Sequence, residues 1–217
     1  WVTLPAMRRC LVVTTALACL VGLPLVCFGG WEMVLVGAAC VLFCFLYTTL
    51  LAQHGMGDVL VLLFFGLVPV CLTYYVTMPP ASQTITAQVV WASLACGLVI
   101  DTLLVVNNYR DYDQDLAVGK KTLIVRMGRE RAEQLYGWLG NIATYMMWGC
   151  LVLGDSSFVL MLVCFACFVP YALLHGATRV QMRRIGRGRE LNKVLGMTAR
   201  NMFVFGVTTA IVTLFIL

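Results

Sequence analysis

Residues 87–128 read AQVVWASLACGLVIDTLLVVNNYRDYDQDLAVGKKTLIVRMG, and this stretch decides the fold. Its first part, 87–106, is predominantly apolar with Asp101 as its one charged residue, and has the roughly 20-residue length of a bilayer-crossing helix. The character then changes abruptly. Asn107, Asn108 and Arg110 lead into Asp111, Asp113 and Asp115, and Lys120, Lys121 and Arg126 follow. An apolar helix that ends in a dense cluster of charges describes a membrane span opening onto an aqueous face.

Working outward, the same length of apolar sequence recurs at 10–28, 33–51, 58–77, 133–153, 157–175 and 197–217, which makes seven expected spans. The third is interrupted by Gly66 and Pro69 and the sixth by Pro170, breaks that membrane helices tolerate. Composition agrees. Hydrophobic residues make up 61% of the 217-residue chain and charged residues 12%. Mean hydropathy is +0.92. A soluble domain of this size would need far more polar surface. The expected fold class is therefore all-α, a polytopic transmembrane helical bundle. Residues 7–22, with Arg8 and Arg9 ahead of an apolar run, imitate a secretory signal, but six further spans follow and the segment reads as the first of them.

Lys and Arg set the orientation. Arg8 and Arg9 precede the first span, a second group runs from Arg110 to Arg131, and a third from Arg179 to Arg200. Alternation of seven spans puts all fifteen basic residues on one side, while the loops Gly29–Glu32, Met78–Ala87 and Gly154–Ser156 contain none. The expectation is a multi-pass protein of a bacterial inner (cell) membrane with its N-terminus and long basic loops cytoplasmic. The net charge of +5 then reflects orientation and contact with anionic membrane lipids or substrates. Nucleic acid is not an expected partner, because no basic platform interleaved with aromatics is present. The ten cysteines, including Cys164 and Cys167 in a CxxC spacing, sit in apolar surroundings and read as packing residues. His54 and His175 stand alone at span ends and read as interface or loop residues.

If the fourth helix runs on to about residue 117, then Asn108, Asp111 and Asp115 fall on one face at i, i+3 and i+7, with Asp113 turned away. The same stripe leads inward to Asp101, about 15 Å deeper at 1.5 Å per residue. Gly119 is a plausible stop. Carboxylates and an amide one turn apart, beside Lys and Arg, suit Mg²⁺ carrying a diphosphate, since Mg²⁺ takes hard oxygen ligands and is held by one or two carboxylates plus phosphate. Neither an EF-hand nor a Walker A loop fits the spacing. The residues alone also fit a solvated loop whose charges pair with each other, and a buried Asp101 also fits an ion-coupled transporter.

The segment Asn-Asn-x-Arg-Asp-x-x-x-Asp-x-x-x-Gly-Lys-x-Thr-Leu-x-Val-x-x-Gly, residues 107–128, resembles the second aspartate-rich motif of the UbiA-type intramembrane prenyltransferases, in the form of their 1,4-dihydroxy-2-naphthoate polyprenyltransferase branch. Gly55-Met56-Gly57-Asp58 followed by Phe64-Phe65-Gly66 resembles the same branch. The resemblance implies an enzyme that uses Mg²⁺ to transfer a polyprenyl group from polyprenyl diphosphate to 1,4-dihydroxy-2-naphthoate in menaquinone synthesis; another aromatic such as 4-hydroxybenzoate is the alternative acceptor. It implies Asn108, Asp111 and Asp115 as metal ligands. Asn107, Asn108, Arg110, Lys120 and Arg126 would bind the diphosphate, and Asp58 would belong to the cap over the acceptor. Asp101 is a candidate for positioning or deprotonating the acceptor hydroxyl, and equally for a buried packing role. The family has nine spans and two such motifs, so the expected domain, 1–217, is a single transmembrane prenyltransferase domain, N-terminally incomplete, that would be inactive alone.

The charge asymmetry is testable in a cysteine-free background. Val118→Cys and Gly188→Cys should stay unlabelled by an impermeant thiol reagent added outside intact cells, while Ser82→Cys is labelled. The reverse pattern would invert the orientation.

Overall fold

The computed structural model describes residues 3–47, 55–152 and 157–215. Among these residues every regular element is helical. In chain order they are α1 (Leu4–Gly22, continued by two short helical turns to Gly29), α2 (Glu32–Leu46), α3 (Gly57–Thr77), α4 (Ala87–Arg110), α5 (Tyr112–Ala117), α6 (Leu123–Met127), α7 (Arg129–Val152), α8 (Phe158–Ile185) and α9 (Leu191–Phe215). Side-chain caps start several of them: Thr86 accepts from the Val89 N–H at 3.4 Å and Thr122 from the Val125 N–H at 3.3 Å.

Five helical stretches are long and apolar enough to cross a membrane: Leu4–Gly29, Gly57–Thr77, Ala87–Arg110, Phe158–Ile185 and Leu191–Leu214. The other two of the seven expected spans differ. Helix α2 has 15 described residues, and the end of its expected span, 48–51, lies outside the described residues. Helix α7 has the length, but its opening turns carry Arg129, Glu130, Arg131 and Glu133 and are polar. The expected boundary at 175 also moves: α8 continues through Pro170 to Ile185, so Arg183 and Arg184 form its last turn, where cations are favoured by the helix dipole. The expected loop 154–156 and His54 lie outside the described residues.

Helix α4 is the hub, packing against α3, α7 and α9, while α8 packs on α7 and α9. Helix α1 buries no residue, as suits a helix facing lipid tails. Ser82 lies between α3 and α4, and beside it Gln83 Nε2 donates to the Phe28 carbonyl at 2.7 Å, which joins the two loops that lack basic residues at one end of the bundle. At the other end Arg110 Nη1 reaches Asn192 Oδ1 at 3.1 Å, and Arg129 Nη1 reaches the Gly186 carbonyl at 2.7 Å. The basic segments around residues 110–129 and 186–192 therefore share a face.

Apolar side chains gain little by leaving lipid for the interior of a bundle, so membrane helices associate through close packing at small residues. Here that contact is α3 on α4. Residues Leu62–Leu67 form one wide, π-type turn just before Pro69, whose nitrogen has no proton for the helical ladder. The turn brings Gly66 so near α4 that a Cβ there would lie 2.7 Å from the Ser93 carbonyl oxygen and 2.8 Å from the Gly97 Cα. Both are backbone atoms and cannot swing aside. On the far side of α4, Gly140 of α7 leaves the space that the His175 ring fills. His175 is thus not an interface residue at a span end, as expected. It is 2% exposed, stacks on Tyr136 at 4.4 Å between ring centres, and its Nε2 lies 2.9 Å from the Tyr136 carbonyl oxygen. Cys164 is buried in the core and Cys167 packs partly buried beside it, in keeping with a packing role for the CxxC pair.

Gly66→Ala should force α3 from α4 and cost about 1–3 kcal/mol, as overpacking does. Gly149→Ala, where an added methyl meets nothing within 4 Å, should cost nothing measurable. Thermal unfolding of the purified variants in detergent checks the contrast.

Candidate functional site

The charged segment after residue 106 is not one continuous helix. Helix α4 ends at Arg110, Asp111 turns the chain at φ −88° and ψ 3°, and α5 begins at Tyr112. Helical bonds still cross the joint, from the Asp111 N–H to the Asn107 carbonyl at 3.1 Å and from the Asp115 N–H to the Asp111 carbonyl at 2.9 Å. The expectation of an unbroken helix to about residue 117 is corrected by Arg129. Its Nη1 takes the Tyr109 carbonyl at 3.0 Å, the acceptor a continuous helix would offer to the Asp113 N–H. Its Nη2 bonds Asp113 at 3.0 Å, and its guanidinium lies 4.9 Å from the Tyr109 ring centre and 4.7 Å from that of Tyr112.

Helix α5 stops where the sequence suggests. Gly119 has φ +72°, its N–H bonds the Leu116 carbonyl at 3.2 Å, and the Lys120 N–H bonds the Asp115 carbonyl at 2.9 Å, which is a Schellman motif. This tight reversal folds the Lys120 side chain back onto α5. Its Nζ lies 3.2 and 3.3 Å from the two oxygens of the buried Asp115. The next residues approach the turn before α3: Gly55 has φ +74°, and a Cβ on it would lie 2.7 Å from the Lys121 carbonyl oxygen. Two segments far apart in sequence are thereby brought against each other.

The candidate residues fall on two sides of the α4–α5 joint. On one side Asp58, Asn108, Lys120, Thr122 and Tyr47 line a cavity of about 20 Å³, room for one water-sized group. On the other, Arg110, Asp111, Gln114, Arg189 and Asn192 line a more open cavity of about 270 Å³. Arg110 holds Asp111 with both Nε and Nη2, at 2.7 and 2.8 Å, and its Nη2 also bonds Asn107 Oδ1 at 2.9 Å. Arg126 Nε donates to the Lys121 carbonyl at 3.2 Å. Asp113 is exposed and points away to Arg129. Asp101 lies deeper on α4, 2% exposed, and faces α3.

Sequence reading did not single out Arg189 or Asn192. The signal available was Gly186 and Gly188, which take φ +66° and +87° and turn the chain so that α9 starts beside Arg110. Among the described residues no group of three or more His, Cys, Asp or Glu side chains is gathered in the manner of a preformed metal site. The oxygen donors instead alternate with cations: Asp111 with Arg110, Asp115 with Lys120, Asp113 with Arg129. Charges paired in this way can open toward a ligand that carries both signs, such as a metal-bound phosphate.

Comparison with known proteins gives the same direction. The chain is 30% identical over 181 residues to the 1,4-dihydroxy-2-naphthoate octaprenyltransferase of Escherichia coli (strain K12), covering 79% of this chain and 52% of that protein. It is 34% identical over 204 residues to the protein of the same name from Mycobacterium tuberculosis, covering 90% and 64%, and 32% identical over 209 residues to that from Mycobacterium leprae, covering 92% and 65%. The chain thus spans about half to two thirds of the length of the curated relatives it matches. No solved structure matches it significantly. The family model described as the UbiA prenyltransferase family matches residues 2–192, an unbroken run from α1 through the charged joint to the start of α9, and the chain belongs to that family.

Proposed function

We propose that the chain serves Mg²⁺-dependent transfer of a polyprenyl group from polyprenyl diphosphate to an aromatic acceptor, 1,4-dihydroxy-2-naphthoate, in a bacterial inner membrane with the basic loops cytoplasmic. The observation that carries the proposal is the charged joint at the end of α4. There Asn108, Asp111 and Asp115 present oxygen, and Arg110 and Lys120 present cations, within one short segment. The names of the relatives supply the donor and acceptor classes. The unbroken family match over 2–192 and the central position of α4 support treating residues 1–217 as a single transmembrane domain.

The donor set fits the metal. All three side chains offer hard oxygen, and Mg²⁺ completes its octahedron with waters and substrate phosphate. Asp111 and Asp115, one turn apart, would hold it together with Asn108, which the joint places on the other side from Asp111, and when bound it would act as a Lewis acid on the diphosphate oxygens. The chain's own part is to balance charge and exclude water. Lys120 and Arg110, already beside the two carboxylates, neutralise the diphosphate as it leaves. Asn107 orients Arg110 through the 2.9 Å bond, and Arg126 fixes the Lys121 carbonyl in the adjoining turn. A water-poor space between helices would keep water from the allylic cation until the ring carbon meets it. Asp58 belongs to the cap over that space. An ion-coupled carrier would use the buried Asp101 but gives no role to the paired charges at the joint.

In the protein that carries this chain, reconstituted with Mg²⁺ and a polyprenyl diphosphate, Asp111→Ala or Asp115→Ala should lower transfer by at least about 10²-fold, the scale of a lost transition-state electrostatic contact. Asp113→Ala removes only an exposed ion pair and should leave most of the activity. Equal losses from all three would refute the assignment. Transfer to 4-hydroxybenzoate in preference to 1,4-dihydroxy-2-naphthoate would correct the acceptor.

A further inference from the structure

Among the described residues, Arg189 is a cation without an acid. It lines the open cavity of about 270 Å³ at the end of α4. The other cations of the joint are each matched, Arg110 with Asp111, Lys120 with Asp115 and Arg129 with Asp113, whereas Arg189 pairs with no carboxylate. Even its neighbour Glu190 turns instead to Lys193, at 3.9 Å.

The turn that carries Arg189 is held on both sides. Gly186 and Gly188 take φ +66° and +87°, a region that residues with a Cβ enter only with strain. Before Arg189 in the chain, the Gly186 carbonyl accepts from Arg129 Nη1 at 2.7 Å; after it, Asn192 Oδ1 accepts from Arg110 Nη1 at 3.1 Å. A side chain on a turn fixed in this way loses less freedom on binding than one on a loose loop.

Donors and acceptors in the cavity are unequal. Arg110 commits four of its five N–H groups: Nε and one from Nη2 to Asp111, the other from Nη2 to Asn107, and one from Nη1 to Asn192. Both oxygens of Asp111 are taken by that one guanidinium. Arginine can only donate, so Asn192 presents its oxygen to Arg110 and keeps its Nδ2 amide as a donor. The groups left over are therefore the Arg189 guanidinium and the Asn192 amide. Arg110 and Arg189 against Asp111 leave the lining one positive charge in excess. An anion can meet these donors without breaking any existing bond.

The lining also selects among anions. None of its six residues carries an apolar side chain, so an aromatic carboxylate would set its ring against polar groups. A phosphate has no ring to place, and its oxygens match the guanidinium fork. The turn stands at the basic end of the bundle, and the apolar length of α9 runs away from it. A prenyl chain follows the apolar length, so the phosphate that reaches Arg189 is the one farther from the chain. We propose that Arg189, with the Asn192 amide, binds the terminal phosphate of the polyprenyl diphosphate and selects diphosphate over monophosphate. The proposal rests on the prenyl-transfer reading and brings a further segment, the turn between α8 and α9, into donor recognition.

The test measures binding without turnover in the protein that carries this chain, reconstituted with Mg²⁺ in phosphatidylcholine liposomes free of anionic lipid. The ligands are an unreactive polyprenyl thiodiphosphate, the polyprenyl monophosphate and 1,4-dihydroxy-2-naphthoate. Arg189→Gln should weaken the thiodiphosphate at least about tenfold, the scale of hydrogen bonds to a charged group, and leave the other two ligands unchanged. Arg189→Lys keeps the charge but loses the fork, so it should recover only part of the loss. Arg187→Gln removes the same charge from the same turn, at an exposed residue outside the cavity lining, and should change nothing.

Unchanged thiodiphosphate binding by Arg189→Gln would overturn the proposal and leave the prenyl-transfer reading standing. An equal loss for the monophosphate would overturn the terminal-phosphate assignment. An equal loss from Arg187→Gln would overturn it too, as general attraction by the basic turn. A loss that falls on the naphthoate instead would make the occupant the acceptor's carboxylate, and an effect seen only with added phosphatidylglycerol would make it a lipid headgroup; either result overturns the proposal. A parent protein that binds neither the thiodiphosphate nor the naphthoate would remove the prenyl-transfer reading and this inference with it.

Discussion

The guanidinium of Arg129 holds the basic end of this bundle together. Through one planar group it takes carbonyls from the end of α4 and from the turn after α8, bonds the carboxylate of Asp113 on α5, and lies against two tyrosine rings. Its side chain is 15% exposed, so these contacts are partly shielded from water and worth more than those of an ordinary surface pair. In a membrane protein this matters more than it would in a soluble one. Apolar side chains leave the helices little reason to choose one arrangement over another, and the polar contacts at the ends and the closest backbone approaches decide it. Arg129 ends α4 at the residue where the charges begin and fixes the angle at which α5 departs. Everything at the joint takes its position from that.

Much of this was legible in the sequence. Span length and the one-sided distribution of Lys and Arg are period-free signals that survive without tertiary information, and they place α1, α3, α4, α8 and α9. Gly119 as a helix stop and Asp113 as the acid that turns away were likewise readable, because cap chemistry and helical spacing are local. Three things were not. The break at Asp111 depends on Arg129, eighteen residues later in the chain. The length of α8 was underestimated because Arg179, Arg183 and Arg184 look like loop residues in a hydropathy reading, yet they extend the helix into water. The place of His175 is not legible either, because its burial depends on a glycine in a different helix.

The candidate site follows the same division. The sequence grouped Asn108, Asp111 and Asp115 as a stripe, because side chains at those spacings share a helical face. The fold distributes them around a turn, with Asn108 on the small cavity and Asp111 on the larger. Arg189 and Asn192 entered the picture only through the reversal at Gly186 and Gly188, which no spacing rule connects to residue 110.

The glycines of α7 have a consequence for how this sequence can drift. Gly137 and Gly140 face α8 and receive two of its side chains: a Cβ on Gly137 would lie 2.9 Å from Arg179 Cδ, and one on Gly140 would run into the His175 ring. Each glycine and its partner therefore form a size-matched pair across the helix interface. A larger residue at 140 is admissible only after position 175 has become smaller, while a smaller residue at 175 is tolerable at once, at the cost of a void. Substitution histories through these pairs have a preferred order, with the α8 partner changing first. Arg179 can bend and leaves its pair some slack, whereas the stacked ring of His175 leaves none.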